Sequence, residues 1–149
     1  MAETLGSLCD KLTIVKLKQF HSDSKEKLIS LSEQENQLQS EIDDFISAAI
    51  EGRISTDRLT FAANKVYKQE GNTVANIGGT IGEIFSKLAE VNCKLWHEQE
   101  LVYEFDKVPV TKKNEVVKKL ALLNLERNKC IDQIDKHFRL SIEQKRNLS

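Results

Sequence analysis

A single proline in 149 residues leaves long stretches free to run as helix, and six glycines are too few for a loop-rich or collagen-like chain. The formal net charge is −1, with basic residues interleaved among acids, so no global field draws in nucleic acid or an anionic membrane. No apolar run approaches a membrane span and no secretory leader precedes the first apolar stripe, so no membrane partner is expected. Cys9, Cys93 and Cys130 are an odd set without CxxC spacing. Each stands where an apolar residue would serve, which predicts buried free thiols in a reducing, cytoplasmic setting.

Histidine is scarce too: His21, His97 and His137 are all there are. "WHEQEL" starts like the zinc signature HExxH, but Leu101 stands where the second histidine must be. No Glu-x-x-His pair of the di-iron kind occurs, so no metal or cofactor is expected. Glu41 with Asp44 imitates the carboxylate spacing with which all-α pyrophosphatases hold magnesium. Asp132 and Asp135 are the sole answering pair, and a solvated helix face explains these charges equally well. P-loop, GxGxxG and nucleophile-elbow patterns are absent, which argues against an enzyme.

What the chain does contain is a repeat. Thr4–His21 aligned with Thr80–His97, an offset of 76, matches at seven of 18 positions: Thr4/Thr80, Gly6/Gly82, Lys11/Lys87, Leu12/Leu88, Val15/Val91, Lys18/Lys94 and His21/His97. Unrelated segments would match at roughly one. Farther on the offset becomes 92, pairing Lys27, Leu28, Leu31, Asn36, Ile42 and Asp43 with Lys119, Leu120, Leu123, Asn128, Ile134 and Asp135. The extra 16 residues fall in 98–118, which gives the second unit longer arms. Apolar residues recur at three- and four-residue spacing in both copies, the mark of helices with one buried face.

These patterns predict an all-α single domain, 1–149: four long helices as two repeated helical hairpins, about 4–50 and 80–146, plus a short connecting helix over about 56–70. Thr80 with Glu83 reads as a capping box, and Gly52 is placed to end the second helix. Pro109 sets the second hairpin's turn in "DKVPVT", with Thr111 as cap. Ser55 or Thr56 caps the connector, whose stripe is Leu59, Ala62, Ala63 and Val66. Lys16 and its repeat partner Asn92 interrupt the stripes, as do Glu35 and its partner Arg127. Glu35 and Arg127 are predicted to face the interior, where their opposite charges could pair; in the plainer reading these long side chains sit at the stripe's edge and snorkel to water.

"TLGSLCDKL", "TIGEIFSKLAEVNCKLWHEQE", "KVYKQEGN" and "ERNKCIDQID" together resemble an uncharacterised family of small helical bacterial proteins with T-[IL]-G-x-[LI] helix openings. The resemblance spans most of the chain and implies a bacterial helical protein, sometimes encoded near cell-surface polysaccharide genes. It carries no catalytic residues across.

Two functions compete. A non-enzymatic interaction or scaffold module, binding a protein partner or itself as a homodimer, draws on Ile14 and Leu17, which lie off the main stripe of the first helix. The rival is a small-molecule or nucleotide(-sugar) cleft formed by Trp96, His97 and Glu100 with Tyr67 and Lys68. In the plainer reading Trp96 fills the core near Phe20.

Overall fold

The computed structural model describes residues 2–61 and 77–148. It is all-α, with four helices: α1 (Leu5–His21), α2 (Lys25–Ile50), α3 (Ile81–Tyr103) and α4 (Val110–Leu148). Single turns of 3-10 helix at Thr56–Arg58 and Phe105–Lys107 complete the described elements. Of the expected connecting helix, the described part reaches Phe61 and holds only the turn at Thr56–Arg58, with Leu59 fully buried behind it. Ala62, Ala63 and Val66 lie outside the described residues.

Side-chain caps start three of the helices. Thr4 Oγ1 accepts the Ser7 N–H while Ser7 Oγ accepts the Thr4 N–H, a reciprocal box that opens α1. Ser24 caps α2, and Thr80 accepts the Glu83 N–H to cap α3, but the return bond from the Thr80 N–H to the Glu83 side chain that the predicted capping box requires is not among the described hydrogen bonds. Gly52, at φ +79°, ends α2, where the Arg53 N–H reaches back to the Ala48 carbonyl. From α4, Arg146 Nη2 donates to the carbonyls of Ala49 and Ile54, satisfying acceptors that the helix end leaves over. Helix α4 opens at Val110, directly after Pro109, so Thr111 sits inside the first turn instead of capping it.

Helices α1 and α2 lie against each other across the short link 22–24, and α3 and α4 do so across 104–109. Contacts of Gly6 with Asp135 and of Asp10 with Arg127 make α1 antiparallel to α4. Those of Thr13 with Asn92 and His21 with Trp96 make it parallel to α3. Helix α1 therefore touches all three others, while α2 and α3 barely meet. The larger apolar cluster gathers Leu5, Ala49, Leu59, Ile84, Leu88, Cys130, Ile134, Phe138 and Ile142. A smaller one, Val91, Leu95 and Leu123, lies toward the other end.

Gly6 sets the α1–α4 distance. A Cβ there would stand 2.6 Å from the Ile131 carbonyl oxygen, and the Gly6 N–H donates to Asp135 Oδ1 at 2.7 Å. Its repeat counterpart Gly82 has nothing within 4 Å. Gly6→Ala should cost about 1–3 kcal/mol, because backbone cannot step aside as a flexible side chain would. Gly82→Ala should gain up to about 1 kcal/mol from helix propensity alone. Urea denaturation of the two variants checks this; equal effects would remove the close-approach explanation.

Asp135 is buried, and burial pushes its carboxyl up to about 6 despite hydrogen bonds from Thr4 and Gly6. The native state then holds a proton that the unfolded chain has released, so this group's contribution is full below about pH 4 and is lost as pH rises through about 6. Across that window the wild type should lose roughly 2–3 kcal/mol relative to Asp135→Asn. Unfolding free energies measured from pH 4 to 7 that run parallel would contradict it.

Candidate functional site

The duplicated aromatic–histidine endings of α1 and α3 arrive side by side because these helices are parallel. The His21 ring stacks on Trp96 with centroids 4.7 Å apart and planes 8° from parallel, and Phe20 meets the His21 ring edge-on. Trp96 Nε1 donates to Glu100 Oε1 at 3.0 Å, one helical turn on. Trp96 and Glu100 are thus brought together as expected, whereas His97 points into solvent from the adjacent position. Tyr67 and Lys68, the other predicted members of this cleft, lie outside the described residues. Nor does Trp96 fill the core beside Phe20: Trp96 is half-buried and Phe20 is 83% exposed. The inward residue of "WHEQEL" is Glu98, buried and paired with Lys119 Nζ at 2.8 Å.

Behind this platform, between the two apolar clusters, lies a layer of polar side chains. Asp10 on α1 is 3% exposed and accepts from Arg127 Nε at 2.9 Å, from Arg127 Nη2 and from Asn92 Nδ2 at 2.9 Å. Asn92 Nδ2 also donates to Thr13 Oγ1 at 2.7 Å, and the Thr13 hydroxyl donates to the Asp10 carbonyl. Asn92 Oδ1 is buried without a hydrogen-bond partner among the described residues.

Asn92 is interior, as its place in the stripe predicts, but the predicted Glu35–Arg127 pair does not form. Glu35 faces α1, where it accepts from Gln19 at 2.8 Å and from exposed Lys16 at 3.1 Å. Those two bonds, Gln19 first, hold its carboxyl below the usual range. The reason for the exchange is topological: Glu35 is taken up by α1 and Arg127 reaches the opposite side of the same helix. Asp10 gave no signal in the main apolar period. It belongs to a second stripe, Gly6, Asp10, Thr13 and Leu17, spaced i, i+4, i+7 and i+11.

The other chemistry-bearing residues are dispersed. Cys130 is buried, Cys9 half-buried and Cys93 exposed, so the expectation of three buried thiols fails at Cys93. Burial pushes the Cys9 and Cys130 thiols up to about 11, which keeps both protonated and unreactive at neutral pH. Glu41 and Asp44 are exposed, and Asp135 is engaged by the first turn of α1. Among the described residues no three His, Cys, Asp or Glu side chains converge as a metal site requires.

The gap that α2 and α3 leave over α1 is a groove. At the Trp96 end it holds about 370 Å³ lined by Lys18, His21, Lys27, Ser30, Gln34 and Trp96 among others. Past Lys18 and Gln34 it continues into a hollow of about 380 Å³ walled by Ile14, Val15, Leu38, Glu41 and Arg127. Comparison of the chain with protein-family models, curated proteins and solved structures yields no match.

The polar layer predicts a marked asymmetry. Arg127→Met strands a carboxylate that is 5% exposed and should cost about 3–5 kcal/mol at pH 7. Asp10→Asn leaves a guanidinium that is 31% exposed and can turn to water, so it should cost about 1–3 kcal/mol. The double variant should cost less than the two single costs added together. Strict additivity in chemical denaturation would place the two groups outside one network.

Proposed function

We propose that this chain is a non-enzymatic interaction module that pairs with a second copy of itself through the far end of the α3–α4 hairpin. The observation that carries this reading is a run of apolar side chains left uncovered there. Val102, Tyr103, Val110 and Val117 are 40, 86, 81 and 55% exposed. His21 ends α1 at the level of Trp96, and α3 continues seven residues to Tyr103, about 10 Å farther. Val110 and Val117 lie on the face of α4 that, lower down, turns Ile131 and Asp135 toward α1. Above His21 no described helix covers that face.

Charge favours a second copy as the occupant. Glu98 and Lys119 already pair within one chain, but the α3 arm and turn also carry Glu100, Glu104 and Asp106, and the α4 arm Lys112, Lys113 and Lys118. Twofold pairing sets the basic arm of one copy on the acidic arm of the other around the apolar stripe. Ile14 and Leu17, the sequence candidates for such a contact, are already half-buried within one chain, so they contribute little. The same reading takes the two hairpins as copies of one unit, the second lengthened at its tip for this contact. Three unpaired cysteines, one exposed, suit a reducing cytoplasm.

Multi-angle light scattering across a micromolar concentration series tests the pairing. The wild type should run as a dimer, and Val110→Glu with Val117→Glu should convert it to a folded monomer. A wild type that stays monomeric at the highest concentration, or a dimer indifferent to both charges, overturns the reading.

A further inference from the structure

We infer that the groove at the Trp96 end is a binding site for a mononucleotide, with the phosphate on Lys18 and Lys27 and the base against Trp96. The chain as a whole is nearly neutral, yet this hollow concentrates cations. Neither Lys18 nor Lys27 has a carboxylate within ion-pairing distance among the described residues. Six other described lysines are spent on carboxylates, among them Lys16 on Glu35, Lys11 on Glu3, Lys119 on Glu98 and Lys94 on Glu90. Two ammonium groups facing one concave space without a counter-charge supply what a phosphate dianion needs.

The rest of the lining fits the remainder of such a ligand. Ser30 and Gln34, themselves joined at 3.2 Å, offer hydroxyl and amide groups to a sugar. Trp96 is held in place by the His21 stack and by its hydrogen bond to Glu100, so a rigid aromatic surface closes the end of the groove. The volume, about 370 Å³, lies within the range of small-molecule sites.

The adjoining hollow sets the direction. There Arg127 is bound to Asp10 and Lys11 to Glu3, Glu41 adds a negative charge, and Ile14, Val15 and Leu38 make the lining apolar. A second phosphate gains nothing by extending that way, which favours one phosphate over a polyphosphate or a nucleic-acid strand. This site is independent of the pairing proposed for the hairpin tip.

Trp96 is the only tryptophan in the chain, so its fluorescence reports on this groove alone. Titration of the full-length protein with AMP and UMP should give a saturable change. Adenosine, ribose 5-phosphate and inorganic phosphate should each bind at least tenfold more weakly, because each lacks one of the two anchors. Lys18→Gln with Lys27→Gln should weaken AMP at least tenfold while leaving the circular dichroism and melting curve unchanged, since both side chains are exposed. For Trp96→Phe, which removes the reporter, calorimetry replaces fluorescence and should show weaker AMP binding with phosphate binding unaffected. No saturable change with AMP or UMP at millimolar concentration, phosphate alone binding as tightly as AMP, or undiminished affinity in the lysine double variant would each overturn the assignment.

Discussion

Asp10 is where three helices are tied together. Its carboxylate takes the guanidinium of Arg127 from α4 and the amide of Asn92 from α3, and it does so almost out of reach of water. The layer separates the Leu88–Cys130 cluster from the Val91–Leu123 cluster, so it sits at one level of the bundle and no other. Sliding α1 by a turn would bring a carboxylate into apolar surroundings and leave Arg127 and Asn92 without it. Such a penalty sets register more than it adds stability, since a well-packed apolar layer could hold the helices as firmly. Gly6 acts beside it: with no Cβ to keep the backbones apart, α1 comes close enough to α4 for the Asp135 carboxylate to accept its amide.

This tight seam has a consequence on the far side of α1. Once α1 is drawn onto α4 and runs alongside α3, α2 is left packed chiefly on α1, and the space between α2 and α3 stays open. The groove, the half-buried Trp96, Lys18 and Lys27 all lie along that opening. The concave surface is thus a by-product of where the polar layer places α1, and its lining comes from residues that the core does not need.

Helix periodicity, caps and turn residues made the four helices legible, because Leu5, Leu88, Leu123 and Ile134 obey a single buried face. Gly52 and Thr80 act as their types predict. Arg127 and Asn92 were recognisable as polar residues on apolar stripes, but their partner was not. A helix gripped by three neighbours buries two faces, and the second face of α1 is written in glycine, aspartate and threonine, types that mark a solvated surface in most helices. The aromatic–histidine endings meet at one end of the groove. Their spacing could not say that His21, from the first copy, would be the ring against Trp96, nor that His97 would turn outward, since that depends on how the two parallel helices are rotated.

Helix α2 has 26 residues, of which only Leu31, Ala48 and Ala49 are buried. Its C-terminal end is held by Arg146 and by the cluster around Phe138, whereas its N-terminal half rests on α1 through the half-buried Glu35–Lys16–Gln19 contact. Detaching that half would open part of the α1–α2 seam without breaking the bonds among Asp10, Asn92 and Arg127. The polar layer therefore ties α1, α3 and α4 directly, while the amino-terminal half of α2 is held outside it. Amide exchange should grade accordingly, fastest from the α2 amino end and slowest where Asp10, Asn92 and Arg127 meet.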